Sequence, residues 1–325
     1  MKKITVIGGG TGTFVALTGL KEYPYDLSAI ITMTESGGST GRLRDQLGVL
    51  PPGDLRQSLV ALSEASLLWR KLFLYRFEAG DLAGHNFGNI FLSALEKVCK
   101  DYKEVIKTAG FILKIKGKVI PVTFDKTNLV ARYTNGKVLK GEGLIDANQE
   151  KEDKIEKAYL EPKVTANQEA LKTIKKSDYI LIGPGDLYTS LIPVLLVGQI
   201  KEAIQKTKAK IIYIVNLMTK FGQTTSYKAS DHLKDLEKYL GRKPDFILIN
   251  NGKIPENIIK WYESNHEEVV FDDLNENFGQ RILRENLISS TFFNKPGSDK
   301  LSRSVLRHSS KKLARLISKI INKEL

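Results

Sequence analysis

A run of β-branched residues that ends in consecutive glycines and opens straight into an apolar helical stretch leaves a chain few folds to choose from. Ile4–Ile7 runs into Gly8-Gly9-Gly10-Thr11-Gly12-Thr13, and Phe14 to Leu20 then reads as a helix packed on a sheet. Glycines at the carboxyl end of a strand permit positive φ and let main-chain N–H groups come close to an anion. The helix N-terminus adds a favourable dipole, roughly 0.3–1 kcal/mol for an exposed negative group. This is phosphate chemistry, although the same glycines also serve tight packing. The turn is not a strict dinucleotide fingerprint, because GxGxxG asks for glycine where Thr13 stands, and no GK[ST] follows as in a Walker A loop.

The remainder of the chain repeats the unit. Strand-like runs alternate with helix-length periodic segments, which argues for βαβ units and a mostly parallel sheet. The predicted strands are Ile4–Ile7, Ala29–Met33, Tyr179–Ile182, Ile211–Val215, Phe246–Ile249 and Val269–Phe271, all short and rich in Val and Ile. Residues from about 118 to 160 break the rhythm. Their β-prone pieces flank Asn135-Gly136, a strong hairpin signal, and predict an antiparallel insertion on the sheet's edge, with 151–157 as a charged connector. The expected fold class is α/β, with one nucleotide-binding unit over 1–300 and a basic amphipathic helix over 301–325 docked on it. In that helix Leu313, Leu316, Ile317, Ile320 and Ile321 fall at helical spacing, with Lys311, Lys312 and Lys319 outward.

Composition excludes several classes. At 42% apolar and 27% charged the 325 residues suit an ordinary folded globular protein. The single cysteine, Cys99, permits neither a disulfide framework nor a CxxC metal site and reads as a buried small hydrophobe. Only four residues separate the first lysines from the glycines, too few for a signal-peptide core, so a cytoplasmic protein is expected. The most apolar stretch, Leu187 to Ile200, contains Pro193 and Gly198 and is too short to span a bilayer. Net charge is +13, and nine Lys/Arg against Asp299 and Glu324 put +7 of it in the last 31 residues. Such a tail suits an anionic partner or a solvated helix face, and from Lys300 onward no aromatic other than His308 is present to stack nucleic-acid bases.

Three further loops carry candidate chemistry. Gly37-Gly38-Ser39-Thr40-Gly41 is a second anion-shaped loop, and Arg42, Arg44 and Arg56 bring guanidinium forks suited to phosphate. In GHNFGN, His85, Asn86 and Asn89 stand at the start of an apolar helix, where a cap accounts for one asparagine but not for the group. Gly183-Pro184-Gly185 follows a predicted strand and leads to Asp186, Tyr188, Thr189 and Ser190. Loops that follow parallel strands converge on the carboxyl-end rim, where open α/β sheets bind ligands.

In this order GGGTG, GGSTGRLR, LPPGDLR, GHNFGN, GPGDLYTS, NLMT and SDHL resemble the CofD-like superfamily over nearly the whole chain. The chain is most similar to its bacterial YvcK-like branch, the gluconeogenesis factors. The resemblance implies a Rossmann-like three-layer core, a nucleotide across the sheet's carboxyl end, and UDP-sugars such as UDP-N-acetylglucosamine as ligand. It also implies support of cell shape and of growth on gluconeogenic carbon; protein partners in cell-envelope regulation and a homo-oligomer are separate expectations. Three positions depart from the family. Glu35-Ser36 stands where relatives have two aspartates, Asp186 replaces the serine of GPGSLYTS, and Lys220-Phe221-Gly222-Gln223-Thr224 replaces QPGET. In RHSSKKLA, which resembles the family's RHD-type ending, Arg307 is a uridine or phosphate contact and Ser309 takes the place of an acid.

The leading expectation is therefore a nucleotide-sugar-binding regulator without turnover. Gly9, Gly10, Thr11, Gly12, Thr13, Gly37, Gly38, Ser39 and Arg42 would hold the diphosphate, and Asn86, Asn89, Asn216 and Arg307 the base and sugar. Gly185, Asp186, Tyr188, Thr189 and Thr219 complete the set. The competing enzyme is an Mg²⁺-dependent transferase of the 2-phospho-L-lactate type, with Asp54 or Asp186 as metal ligand. An NAD(P)-dependent oxidoreductase, suggested by the glycine turn and Glu35, lacks the third fingerprint glycine and any evident hydride-transfer constellation.

Overall fold

A computed structural model describes residues 1–150, 154–275, 279–291 and 304–324. Ten strands are present among them. In chain order they are β1 (Lys3–Gly8), β2 (Asp26–Ile31), β3 (Lys118–Pro121), β4 (Asn128–Tyr133), β5 (Val138–Lys140), β6 (Ile155–Glu161), β7 (Tyr179–Ile182), β8 (Lys210–Ile214), β9 (Phe246–Asn250) and β10 (Arg281–Glu285). Seven form one sheet in the order β10-β9-β8-β7-β1-β2-β3, parallel throughout. From the β1/β7 boundary the chain advances outward through β2 and β3 on one side and through β8, β9 and β10 on the other. Crossovers of one hand that run in opposite directions deposit their helices on opposite faces, so the core is three-layered. The helices α1 (Gly10–Leu20), α2 (Gly38–Leu47) and α3 (Gly53–Leu62) follow the first two strands, and α1 packs on α3. The helices Gln168–Lys176, Ile192–Leu195, Ile200–Lys206 and Ala229–Leu240 pack on one another in the opposite layer. Ile4, Ile7, Leu17, Ile30, Ile180, Ile212 and Leu248 are among the fully buried residues of this core.

The boundary between β1 and β7 is the topological switch point. Here the turns after the two strands part to opposite faces and leave a crevice at the carboxyl ends. Backbone contact defines it closely: a Cβ placed on Gly12 would lie 1.9 Å from the Pro184 carbonyl oxygen, so the two turns meet main chain to main chain.

Several predicted elements differ. The second strand is Asp26–Ile31 rather than Ala29–Met33, because its ladder with β1 ends where Gly8 pairs with Ile31. Val269–Phe271 is not a strand. Val269 makes one isolated bridge to Met218, and Phe271 is 65% exposed. The outermost strand is instead β10, whose RILRE reads as a charged edge. β3 belongs to the parallel sheet, so the insertion begins later than the predicted 118, and it is not an extension of the sheet's edge. It is a separate antiparallel sheet, β5-β4-β6, whose β4–β5 turn contains Asn135-Gly136 with Gly136 at φ +87°. Of the predicted connector, 155–157 lie in β6 and 151–153 fall outside the described residues. Cys99 caps the helix Phe87–Val98 and is half-buried, not fully buried.

The last helix is Ser310–Ile321. It buries Leu313, Leu316, Ile317, Ile320 and Ile321 and lies on α1 at Gly19, where a Cβ would meet the Ser310 carbonyl oxygen at 2.1 Å. Tyr25, in the loop directly ahead of β2, donates to Ser318 Oγ at 2.9 Å. Lys311 is exposed and Lys319 partly so, while Lys312 Nζ donates to Asn286 Oδ1 and the Ile288 carbonyl. No helix among the described residues is long and apolar enough to cross a membrane.

Candidate functional site

The crevice at the switch point is lined by residues that follow four strands, β1, β2, β7 and β8. After β1, Gly9 is extended and Gly10 takes φ +62°, a left-handed conformation that favours glycine. α1 then begins with no side-chain cap and no acid in its first turn, so its N–H groups face the cleft uncompensated by the helix itself. One of them is already engaged, since Gly10 N–H donates to Asp54 Oδ1 at 2.7 Å. Asp54 sits in the first turn of α3 and thereby ties the glycine turn to its neighbour. α2 also starts uncapped, at Gly37.

After β7 the chain makes an unusually wide turn. Leu191 N–H reaches back five residues to the Asp186 carbonyl at 3.1 Å, and Ser190 N–H takes the same oxygen at 2.9 Å. Such π-type turns often accompany functional sites. This one brings Asp186, Thr189 and Ser190 to the cleft. After β8 come Asn216 through Lys220, and the segment ahead of the last helix supplies Arg307 and His308.

Charge at the cleft is mostly negative. Glu35, Asp54, Glu142, Asp146, Asp186 and Glu267 line it, with Lys220 and Arg307 as the cations. Burial pulls the Lys220 ammonium down, but Asp146, Asp186 and Glu267 more than offset this and hold it charged. Its Nζ lies 3.5 Å from Asp146 and 3.7 Å from Glu267. Burial, with Glu35, Asp146 and Asp54 nearby, raises the Glu142 carboxyl well above the usual carboxylate range. Glu142 and Asp146 come from the short helix Glu142–Asp146 in the antiparallel insertion, which clasps the second glycine loop. Ser36 N–H donates to Glu142 Oε2 at 3.1 Å, and Gly143 N–H donates to Ser36 Oγ at 2.9 Å. Sequence reasoning missed this contribution, because nothing local to Glu142 signals a contact made across a hundred residues.

Residues 4–288 match the family described as 2-phospho-L-lactate transferase CofD. The chain belongs to the CofD family. The gluconeogenesis factor of Bacillus subtilis is 38% identical over 97% of this chain and 96% of its own length. The gluconeogenesis factor of Halalkalibacterium halodurans is 40% identical over 84% of this chain and 85% of its own. A crystal structure of a UPF0052 family member from Bacillus halodurans superposes with a TM-score of 0.89 at 37% identity, covering 98% of both chains.

In space, the motifs that carry the CofD resemblance divide into two groups. Gly9, Gly10, Thr11, Gly12, Gly37, Gly185, Asp186, Thr189, Asn216, Thr219 and Arg307 line the cleft, together with Asp54. The other predicted contacts are spent on scaffold. Thr13 is fully buried under the first turn. Asn86 caps the helix Phe87–Val98 by accepting from Asn89 N–H. Asn89 Nδ2 donates to Ser39 Oγ and Thr40 Oγ1 at 3.3 Å each, while its Oδ1 accepts from Arg56 Nε at 2.7 Å. His85 Nδ1 lies 3.3 Å from the same Ser39 Oγ, and burial followed by Arg42 and Arg76 lowers its pKa, favouring the neutral ring. The GHNFGN segment of this CofD chain thus props the second glycine loop from behind at Ser39, whereas Gly38 is exposed and touches neither the prop nor the cleft lining. Arg42 Nη2 donates to the Ala83 carbonyl at 3.0 Å, and Arg44 bonds Asn128. Tyr188 turns away into the opposite layer, where its hydroxyl donates to Asp235.

Proposed function

We propose that the cleft binds a nucleotide sugar of the UDP-N-acetylglucosamine type, and that the chain acts as a ligand-sensing regulator of the gluconeogenesis-factor kind. The observation that carries the reading is the meeting of Gly12 with the Pro184-Gly185 turn at the switch point, beside two helix N-termini that lack their own caps. Main-chain donors there suit a diphosphate, and Arg307 and Asn216, which line the same cleft, suit base and sugar. The acidic lining implies that the diphosphate enters with a divalent cation. No group of three or more His, Cys, Asp or Glu among the described residues gathers to hold a metal alone. Mg²⁺ brought by phosphates needs only one or two carboxylates, and Asp54 and Asp186 beside the two turns fit that donor set. The cation would neutralise phosphate charge against those carboxylates. The regulatory role would extend to cell shape and gluconeogenic growth in the cytoplasm, through protein partners.

A second reading is an Mg²⁺-dependent transferase of the 2-phospho-L-lactate type. It draws on Glu142, whose carboxylate reaches Ser36, the position where relatives carry a second acid. A thermal-shift series with UDP-N-acetylglucosamine, UDP, GTP and NAD, each with and without Mg²⁺, tests the first reading, for which the UDP-sugar should give the largest shift. Chromatography of the same mixtures tests the second: nucleotide recovered intact opposes transfer, and Mg²⁺-dependent consumption supports it.

A further inference from the structure

Where β8 ends, the wall of the cleft carries two buried acceptor atoms that no group among the described residues satisfies. Asn216 follows β8 by two residues, and its Oδ1 is buried without a hydrogen-bond partner. His308 is 7% exposed, and its Nε2 is likewise buried and unpartnered. The two residues are neighbours, because the His308 ring hydrogen-bonds the main chain of Val215, which directly precedes Asn216. The Val215 N–H is already given to the Leu248 carbonyl at 3.0 Å, so the ring donates to the Val215 carbonyl. The ring nitrogen that makes this bond therefore carries the proton, which leaves Nε2 as a lone-pair acceptor. Burial, only partly opposed by the Val215 bond, lowers the ring's pKa to about 4 and keeps it neutral at neutral pH.

Both residues line the same cleft as the glycine turns. Two adjacent acceptors without a compensating donor disfavour phosphate or carboxylate and call for neutral donors. Within a nucleotide sugar, neighbouring neutral donors are the hydroxyls of a sugar ring. We propose that Asn216 Oδ1 and His308 Nε2 form a hydroxyl-reading subsite that accepts hydrogen bonds from the vicinal diol of the ligand's ribose or hexose. This rests on the nucleotide-sugar reading above. It orients the ligand, with diphosphate toward Gly10–Gly12 and the diol against the end of β8.

The test is calorimetric titration of the intact chain and of the Asn216→Leu and His308→Phe variants with three probes: UDP-N-acetylglucosamine, UDP and 2′,3′-dideoxy-UDP. Each variant should bind UDP-N-acetylglucosamine about tenfold more weakly, the size of one net hydrogen bond. If the diol is the ribose, UDP weakens equally in the variants, and dideoxy-UDP binds parent and variants alike. If it is the hexose, the variants bind UDP as the parent does. Both folded variants binding UDP-N-acetylglucosamine within twofold of the parent would overturn the subsite. Failure of the parent itself to bind overturns the nucleotide-sugar reading instead, and a second readout then decides the subsite without ligand. Removing an orphaned acceptor should leave the unliganded Asn216→Leu chain melting at or above the parent. A fall of about 2–3 °C or more, the size of a lost hydrogen bond or two in a chain of 325 residues, would show that Oδ1 serves the fold and would refute the proposal.

Discussion

Replacing Gly12 with alanine gives a sharp test of how the two turns at the switch point are held. Glycine inside a helix ordinarily costs about 0.5–1 kcal/mol relative to alanine, so at an unconstrained position in α1 the change would stabilise the protein. Here the added Cβ would lie 1.9 Å from the Pro184 carbonyl oxygen, 2.3 Å from its carbon and 2.8 Å from Gly185 N. Real Cβ contacts essentially never fall below 3.0 Å, so turn and helix must part by at least 3.0 − 1.9 = 1.1 Å. All three opposing atoms are backbone, and no side-chain rotation can relieve them. Overpacking of this kind costs about 1–3 kcal/mol or somewhat more, which outweighs the helix-propensity gain. At about 1.5 °C per kcal/mol for a chain of 325 residues, the melting temperature of Gly12→Ala should fall by about 2–5 °C. Gly10→Ala is the control: its φ of +62° costs about 1–2 kcal/mol, but its Cβ meets only Ser190 Oγ at 3.7 Å. It should lose less. Thermal unfolding of both variants without ligand decides the matter. A Gly12→Ala chain that melts no lower than Gly10→Ala would refute the argument that main-chain contact between the turns shapes the cleft.

Other parts of the structure give further expectations. Lys220→Met removes the cation between Asp146 and Glu267 and should cost about 3 kcal/mol in urea unfolding, as for other broken buried pairs; a loss below 1 kcal/mol would show that the carboxylates are neutral or find other partners. His232 is fully buried, with both ring nitrogens unpartnered, and burial lowers its pKa from 6.5 to about 4. The folded chain then binds fewer protons than the unfolded chain between these values. Stability is thus present above pH 6.5 and is lost as pH falls toward 4, by about 2 kcal/mol between pH 7 and 5 for this ring. His232→Phe should flatten the pH dependence of the unfolding midpoint by that amount, and an unchanged slope would mean that the ring is solvated. Glu142 works in the opposite direction, since its raised pKa means that stability present near pH 4.5 is lost as pH rises through the folded value. Glu142→Gln keeps an acceptor for Ser36 N–H and should raise the melting temperature at pH 7 more than at pH 5; an equal effect at both would remove the like-charge explanation.

The sequence showed the core clearly where backbone requirement and apolar pattern coincide. Tyr179–Ile182 appears with its predicted limits, and the first glycine turn joins β1 to α1, although the helix starts at Gly10, earlier than the predicted Phe14, and takes in most of the turn. The edges were less legible for a physical reason. β10 carries Arg281, Arg284 and Glu285 on an exposed strand, so it lacks the Val/Ile signature of a covered one, while in the apolar Val269–Phe271 only Val270 is buried. Polar residues were harder still. Asn86, Asn89 and Arg56 have side chains suited to a ligand, yet they satisfy one another and the Ser39 hydroxyl. Sequence gives no means of separating a buried polar network from a binding site when both favour the start of a helix. Glu142, and the His308–Val215 contact beside Asn216, arise from long-range packing and leave no local pattern to read.

The most direct test of the account is calorimetric titration of the intact chain with UDP-N-acetylglucosamine in Mg²⁺, followed by melting of the saturated protein. The account predicts one site per chain. At one hundred times the dissociation constant the ligand should stabilise the fold by about 2.7 kcal/mol, a shift of about 4 °C for a chain of 325 residues, and Gly12→Ala should bind more weakly. No heat and no shift at millimolar ligand would contradict the assignment of this cleft to a nucleotide sugar, as would full-strength binding to a folded Gly12→Ala chain.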